Sequence, residues 1–259
     1  MERGKFVRPS AVVLGAPGTN RHEDAVFALN TAGADASYVN LLDLPERSGA
    51  LEAAALIVVA GGFSYADALG SGRVFAMEID HRLGDLLRRK VTEGTPVIGI
   101  CNGFQMLVRS GLLPGGAPAA LQHNDCGHFE CRWVTLAPSS RHCIWTRGLD
   151  APLRCPVAHG EGKFSCPPET LAVLRANDRI AFRYAREDGS AADGKYPENP
   201  NGSVDDIAGI CDDSGLVLGM MPHPENHVTA RQGRSFTGAA APGLALPLFR
   251  NGVEFARKN

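Results

Sequence analysis

The segment Gly99-Ile100-Cys101-Asn102-Gly103 places a cysteine where a buried apolar strand must turn sharply into a helix. This G-x-C-x-G spacing is typical of a nucleophile elbow, because small residues on either side of the nucleophile permit the tight turn. The N-terminus of the following helix stabilises a thiolate, and the amide after the cysteine can point at an oxyanion. The sequence therefore predicts that Cys101 is a nucleophile rather than one more buried thiol.

A nucleophilic cysteine needs a base and a group that orients the base. Near the far end of the chain, Met221-Pro222-His223-Pro224-Glu225 supplies both types of side chain. Two prolines fix the backbone around His223, and we expect the i, i+2 spacing of an extended chain to put His223 and Glu225 on the same side. Alone, this motif is more typical of a surface turn; together with the elbow it favours a catalytic pair in which Glu225 holds the imidazole.

A third candidate element is the pair Gly61-Gly62, followed by Phe63, at the end of the apolar run 58–60. Glycine lets the backbone approach a ligand closely. We expect the amide of Gly62 or Phe63 to donate to an oxyanion opposite the amide of Asn102. A plain turn at the end of a strand is the alternative interpretation.

The first half of the chain alternates apolar runs with helical patterns, which predicts a parallel sheet with crossover helices. The predicted strands cover residues 11–14, 36–40, 55–60 and 96–100. A helix is expected over His22–Ala32, and Asn20 and Glu23 have the spacing of a capping box at its start. Apolar residues at helical spacing over 75–87 predict one surface helix packed on the sheet.

Beyond Gly111 prolines and glycines become frequent, and this half is expected to be mostly β. Its strand-like runs cover residues 133–136, 171–174, 180–184 and 217–221, with an irregular loop over 188–203. The sequence has no low-complexity linker between the halves. We therefore predict one domain over residues 1–259, an α/β fold in which a mostly parallel sheet with flanking helices is shared with a β-rich C-terminal half.

Composition excludes some classes of function. The 26 basic and 28 acidic residues give a net charge of −2 with no long run of either sign, so nucleic acid is not an expected partner. The apolar runs are well short of the roughly 20 residues that cross a bilayer, and the first ten residues are charged rather than apolar. Neither a membrane span nor a secretory signal is expected. Seven cysteines, an odd number, favour a reducing compartment, and we expect the cytoplasm.

Six blocks of the chain resemble, in order and spacing, the class I (triad-type) glutamine amidotransferases, and among these the glutaminase subunits of phosphoribosylformylglycinamidine synthase. The blocks are GAPGTN (15–20), GGFSY (61–65), CNGFQ (101–105), AHGEGK (158–163), NPNGS (199–203) and MMPHPE (220–225). They cover most of the chain. The elbow and H-P-E alone would indicate only the wider superfamily, whereas the combination is specific.

The resemblance implies a flavodoxin-like α/β fold and hydrolysis of glutamine to glutamate and ammonia. It makes Cys101 the nucleophile, His223 the general base and then acid, and Glu225 its orienting partner, while Gln105, one helical turn past the nucleophile, is expected to contact the substrate amide. One departure is Ala66, which stands where the family has glycine. The stretch 67–70 also differs from the family pattern, which leaves partner contacts there open.

In the family, ammonia passes to a synthetase subunit that uses ATP and Mg to amidate formylglycinamide ribonucleotide in purine biosynthesis. The chain has no G-x-x-x-x-G-K-[ST] motif, so the nucleotide chemistry is expected on the partner. The resemblance therefore implies glutamine as substrate, no cofactor in this chain, and a synthetase subunit as partner, with or without a small accessory subunit.

A zinc site is the sharpest competing interpretation. Four ligand types lie within nine residues: His123, Cys126, His128 and Cys131. Cys₂His₂ is a known zinc set. We nevertheless expect no metal, because the spacing is tighter than in usual fingers and the alternation of Phe129, Cys131 and Trp133 puts Cys131 on the apolar face of a strand.

Two further alternatives stay open at this point. The elbow could serve another cysteine hydrolase of the same fold, although such enzymes tend to place a histidine near the elbow rather than in a late H-P-E. The chain could also be a regulatory or scaffolding relative without chemistry. The presence of Cys101, His223 and Glu225 together speaks against that possibility.

Overall fold

The computed structural model describes residues 7–83, 85–233 and 243–259. The strands in these ranges are β1 (Ser10–Gly15), β2 (Asp35–Asn40), β3 (Leu56–Val59), β4 (Val97–Ile100), β5 (Ala120–Gln122), β6 (Glu130–Pro138), β7 (Leu153–His159), β8 (Lys163–Ser165), β9 (Ile180–Ala185), β10 (Ile207–Cys211) and β11 (Val217–Met220). The helices are α1 (His22–Ala32), α2 (Leu44–Glu52), α3 (Arg73–Leu83), α4 (Leu86–Thr92), α5 (Asn102–Arg109), α6 (Pro168–Ala176) and α7 (Leu246–Lys258). None of the helices described is long and apolar enough to pass through a membrane.

Nine strands form one sheet in the order β2-β1-β3-β4-β11-β10-β9-β6-β7. Neighbouring strands are parallel from β2 to β11 and antiparallel from β11 to β7. The expected fold class is therefore confirmed, and the β-rich half continues the sheet of the α/β half. Strands β5 and β8 form a separate antiparallel pair.

Strand β11 comes from late in the chain but lies beside β4, with Met220 opposite Ile100. The carboxyl ends of parallel strands meet at one edge of a sheet, which is where α/β folds place their sites. Cys101 and the motif that begins at Met221 follow these two ends directly. The topology thus brings the two candidate catalytic segments together.

The strands that carry the site are buried along their whole length. Every residue of β3, β4 and β11 is buried, as the near-continuous apolar runs at 55–60 and 96–100 predict for strands covered on both faces. Helix α5 packs on β4, and α7 packs on β3. Large apolar side chains buried to this degree contribute about 1.5–3 kcal/mol each, so the site stands on a firmly packed part of the core.

Three expectations about the helical segments are wrong. Residues 171–174 lie in helix α6 rather than in a strand: Thr170 and Leu174 bury one helical face, and Glu169 and Arg175 complement the dipole at the two ends. The surface helix expected over 75–87 is two helices, α3 and α4, and the sequence has Gly84, a poor helix former, between them.

The third wrong expectation is the capping pair at α1. The N-cap residue is Arg21, with no side-chain capping bond. Asn20 instead packs against the loop formed by residues 61–63, here called the glycine loop, since a Cβ on Gly62 would lie 2.6 Å from Oδ1 of Asn20. A tertiary contact has replaced the local one.

Candidate active site

Cys101 lies between β4 and α5 with φ 51° and ψ −107°, a conformation that residues other than glycine rarely adopt. Neighbouring glycines make the turn possible. A Cβ on Gly103 would lie 2.1 Å from the carbonyl oxygen of Val59, and one on Gly99 would lie 2.5 Å from Cδ1 of Leu107. This strained turn is the geometry of a nucleophile elbow, and it holds the thiol at the N-terminus of α5, where the helix dipole favours a thiolate.

His223 and Glu225 follow β11 at the same edge of the sheet. The Nδ1 atom of His223 lies 2.6 Å from Oε1 of Glu225, and the imidazole lies next to Cys101, since a Cβ on Gly61 would contact both side chains. Because Nδ1 is engaged with the carboxylate, Nε2 is the nitrogen that remains to exchange a proton. Cys101, His223 and Glu225 are only 4%, 2% and 0% exposed, so the three groups form a buried line of thiol, imidazole and carboxylate.

The backbone that makes this contact is not the extended chain expected from the spacing. Pro224–His227 forms a short 3₁₀ turn, and the turn itself brings Glu225 back to His223. The backbone N–H of His223 also donates to the carbonyl of Pro156 in β7 at 2.8 Å. The base is therefore held by the antiparallel part of the sheet as well as by its own motif.

The electrostatics of the line favour a charged pair. Burial alone lowers the pKa of His223, but the charges of Glu225 and Cys101, together with the hydrogen bond to Glu225, outweigh burial and raise the pKa to about 10. An imidazolium between a carboxylate and a thiolate is thus stabilised. This arrangement suits a cysteine that attacks as the thiolate.

The pair Gly61-Gly62 lies directly against the candidate catalytic groups. A Cβ on Gly61 would lie 2.8 Å from Cε1 of His223 and 3.3 Å from Cβ of Cys101. Gly62 has φ +128°, which only glycine adopts without strain. Phe63 follows with a ring 41% exposed. The expected oxyanion donors Gly62 and Phe63 therefore lie on a loop that contacts the base.

This loop continues into a strained segment. Tyr65, Ala66, Asp67 and Leu69 all have φ between 52° and 62°, and each residue in this left-handed region costs about 1–2 kcal/mol relative to the right-handed one. The departure at Ala66 falls within it, at a position where glycine would carry no such strain. The loop next to the base is thus held in a conformation that its own sequence does not prefer.

Asn102 and Gln105 belong to a polar network at the start of α5. Asn102 Nδ2 donates to Oδ1 of Asp67 at 3.1 Å and to Oε1 of Gln105 at 3.0 Å. Gln105 Nε2 donates to the backbone carbonyl of Glu161 at 2.6 Å. Burial raises the pKa of Asp67, and the charge of Glu161 adds to that effect, whereas hydrogen bonds to Ser71 and Asn102 lower it. The network ties the strained loop and the H-G-E-G turn to the nucleophile helix.

The possible metal ligands group differently from the set considered in the sequence. The ligand atoms of Cys126, His128 and Glu130 lie within 4.8 Å of one another, and neither His123 nor Cys131 belongs to this group. Strand β6 has the opposite facing to that expected, with Cys131 exposed and Glu130 buried. The reason is that Glu130 is hydrogen-bonded to two side chains, Arg132 and Tyr196.

The sequence alone assigns no role to the residues of the blocks H-G-E-G-K and N-P-N-G-S. In the structure, Asn201 Nδ2 donates to the carbonyl of Gly162 at 2.8 Å and to the hydroxyl of Tyr184 at 3.0 Å. The loop over 188–203 lies between β9 and β10 as predicted, and its last residues hold the H-G-E-G-K turn in place. The local sequence carries no signal of this, because the contacts join segments about forty residues apart.

Comparison with known proteins identifies the family. Residues 8–256 match the model of the CobB/CobQ-like glutamine amidotransferase domain. The chain is 42% identical to phosphoribosylformylglycinamidine synthase subunit PurQ of Treponema denticola, over 96% of this chain and 99% of the relative. It is 40% identical to the subunit of the same name from Dehalococcoides mccartyi, over 95% of this chain and 97% of that one.

Solved structures agree. The structure of PurLQS from Thermotoga maritima superposes with a TM-score of 0.73 at 31% identity, covering 96% of this chain and 98% of the other. A glutamine amidotransferase from the same organism shares the fold, with a TM-score of 0.56 at 17% identity. The superposition covers 98% of this chain and 100% of the other chain. The resemblance read from the six sequence blocks is thus confirmed: the chain belongs to the glutamine amidotransferases, and within them to the PurQ subunits of phosphoribosylformylglycinamidine synthase.

Proposed function

We propose that this subunit releases ammonia from glutamine through Cys101, His223 and Glu225, and that a synthetase subunit consumes the ammonia. As a member of its family the chain is an enzyme with glutaminase activity within a phosphoribosylformylglycinamidine synthase. The observation that carries the assignment of residues is the buried arrangement in which Nδ1 of His223 lies 2.6 Å from Oε1 of Glu225, while a Cβ on Gly61 would contact both the His223 ring and Cys101.

In the first half of the reaction, the Cys101 thiolate attacks the side-chain carbonyl carbon of glutamine. The negative charge that develops on the carbonyl oxygen is held by the backbone amide of Asn102 and by an amide of Gly62 or Phe63. The protonated His223 gives its proton to the leaving nitrogen, the C–N bond breaks, and ammonia departs. The product left on the enzyme is a γ-glutamyl thioester of Cys101.

In the second half, a water molecule replaces ammonia. His223, now neutral, takes a proton from the water as it attacks the thioester, and the C–S bond breaks to release glutamate and restore the thiolate. Glu225 holds the imidazole through Nδ1 and stabilises its cationic form, which keeps Nε2 directed at the reacting atoms. Gln105 is assigned to the substrate amide, for which its bond to Glu161 would have to be exchanged.

The partner assignment is supported by the names of the relatives. The two relatives from Treponema denticola and Dehalococcoides mccartyi are named as subunits of a synthase, and the related Thermotoga maritima structure is of PurLQS. We assign ATP and Mg to the synthetase subunit, no cofactor and no metal to this chain, and place the assembly in the cytoplasm. A catalytic thiol at Cys101 supports that location, because it must stay reduced to act.

The test uses the complex with its synthetase. Cys101→Ala should abolish glutamate release and glutamine-dependent synthesis, and His223→Ala should lower both by several orders of magnitude, because one group forms the covalent intermediate and the other moves its protons. Synthesis from added ammonium should be intact in both variants. Glutamate release by Cys101→Ala at the wild-type rate would contradict the assignment of the nucleophile.

Loss of the ammonium-dependent reaction in a normally assembled complex would contradict the division of labour between the two chains. Size-exclusion chromatography of each variant complex provides the control for assembly.

A further inference from the structure

His159 ends β7 at the first position of the H-G-E-G-K motif and has no part in the proposed triad. It is 3% exposed, and its Nε2 atom is buried without a hydrogen-bond partner among the residues that the structure describes. Its own strand contacts the catalytic groups, since the carbonyl oxygen of Ala158 lies 3.8 Å from Sγ of Cys101. A buried polar side chain beside an active site needs a physical reason.

The reason lies in Asn124. Its Nδ2 donates to the carbonyls of His159 at 2.8 Å and His128 at 3.0 Å, which fixes the orientation of the amide. Its Oδ1 therefore accepts, from the backbone N–H of Gly162 at 3.0 Å and from Nδ1 of His159 at 3.1 Å. An amide oxygen cannot donate, so Nδ1 of His159 carries the proton and Nε2 is bare.

These bonds join two segments that flank the nucleophile. One is the loop 124–129, whose Phe129 lies with its ring centroid 6.1 Å from that of Phe63 in the glycine loop. The other is the turn 159–163, whose Glu161 carbonyl accepts from Gln105 on the nucleophile helix. Both segments thus contact elements assigned to oxyanion or substrate binding, and Asn124 with His159 holds them at a fixed separation.

The surroundings of His159 also select its neutral form. Burial lowers its pKa, the charge of His223 lowers it further, and its own backbone carbonyl and Glu130 act in the opposite direction, with the result at about 4. The imidazole ring covers Gly162 so closely that a Cβ there would lie 2.3 Å from its Cε1. A protonated His159 would have no room for water around its charge at this position. Its charge would also disfavour the imidazolium form of the nearby His223.

We propose that His159 is a positioning residue for glutamine binding: as a neutral donor from Nδ1 to Asn124, it fixes the loop 124–129 and the turn 159–163 on the two sides of the substrate mouth. This proposal rests on the proposed function and adds a specific role to it. The property that matters is the hydrogen bond from the position of Nδ1. The bare Nε2 atom is a consequence of that bond.

The experiment compares three replacements of His159 in the complex with the synthetase. Asparagine places an N–H near the position of Nδ1, glutamine places a polar group near that of Nε2, and leucine places none. We expect His159→Leu and His159→Gln to raise KM for glutamine about tenfold, the size of one buried hydrogen bond, with kcat changed less than about threefold. His159→Asn should restore KM to within about threefold of wild type.

Two further measurements separate positioning from stability. Asn124→Ala should raise KM at least as much as His159→Leu, and the double variant should be no worse than Asn124→Ala, because one interaction is removed in each case. The rate at which iodoacetamide alkylates Cys101 should not change. The matched control is His142→Leu, which also removes a histidine bond to a loop carbonyl, at 2.9 Å from Asp213, but at the opposite end of β11; it should leave KM unchanged.

Several outcomes would overturn the proposal. These are an unchanged KM in a folded His159→Leu complex, rescue by glutamine but not by asparagine, or additive effects of His159→Leu and Asn124→Ala. A wild-type complex that does not hydrolyse glutamine, or a Cys101→Ala complex that does, would instead contradict the proposed function. The two failures are therefore distinguishable.

Discussion

Replacing Glu225 by glutamine removes one charge from the buried line while it keeps the shape of the side chain. The Nδ1 to Oε1 contact is 2.6 Å long and both partners are buried, so solvent screening is small. An amide oxygen still accepts from Nδ1, but a hydrogen bond to a charged acceptor is about twice as strong as one to a neutral acceptor. With the lost attraction to the imidazolium, we estimate a cost of about 2–3 kcal/mol, or roughly a hundredfold in kcat/KM.

The same substitution changes the pH dependence in a known direction. Burial lowers the pKa of His223, and the charges of Glu225 and Cys101 raise it to about 10. Without the carboxylate charge the pKa of His223 falls, the imidazolium that stabilises the Cys101 thiolate is lost at lower pH, and the thiolate must form without it. In Glu225→Gln, alkylation of Cys101 by iodoacetamide should therefore be slower than in the wild type at those pH values where only the wild-type imidazolium persists.

The assays are glutamate release in the complex with the synthetase and the rate of Cys101 alkylation between about pH 6 and 10, the range that the His223 shift covers. Glu254→Gln, on the exposed face of α7, is the matched control and should match the wild type in both. A Glu225→Gln complex with wild-type kcat/KM and an unshifted alkylation profile would refute the role of the carboxylate.

Two other expectations concern the glycine loop and metal. Gly61→Ala should lower kcat/KM about tenfold or more, because its Cβ would lie 2.8 Å from Cε1 of His223 and the ring must move. The control is Gly49→Ala, which would have nothing within 4 Å of its Cβ. Equal activity of the two variants would contradict the close packing at Gly61. The group Cys126, His128 and Glu130 should hold no stoichiometric zinc, since Arg132 and Tyr196 already bind the carboxylate of Glu130. Elemental analysis, and the melting temperature with and without a chelator, check this prediction. About one zinc per chain would overturn it.

The sequence predicted the parallel half of the fold well because its signals are local. Residues 11–14 and 96–100 are apolar over a full strand length between turn residues, and strands β1 and β4 lie there. The elbow at Cys101 was also readable, because its glycines at 99 and 103 must be small for contacts within a few residues of the turn or with the adjacent strand.

Errors arose where a distant partner decides the local structure. The alternation of apolar residues predicts Cys131 on the buried face of its strand, but Tyr196, more than sixty residues away, binds Glu130 and helps to bury it instead. Asn20 was expected to cap α1, but it packs against Gly62. The hydrogen bonds between Asn124 and His159 carry no local signal for the same reason, because they span 35 residues of sequence.

The contact between His223 and Glu225 is an intermediate case. The spacing suggested that the two side chains meet, and they do, but through a 3₁₀ turn rather than an extended chain. Pro222 and Pro224 restrict the backbone without deciding between these conformations. Such a motif identifies the partners more reliably than their path.

The position of β11 beside β4 has a consequence for the protein during its synthesis. As the chain leaves the ribosome, β3 and β4 are available early, but the strand that covers the second edge of β4 emerges more than a hundred residues later. Until then the nascent chain presents an open, apolar strand edge, a template for aberrant association, and an elbow thiol without its base. The incomplete chain therefore cannot hydrolyse glutamine and is exposed to aggregation, and both conditions end when β11 joins the sheet and brings His223 and Glu225 to Cys101.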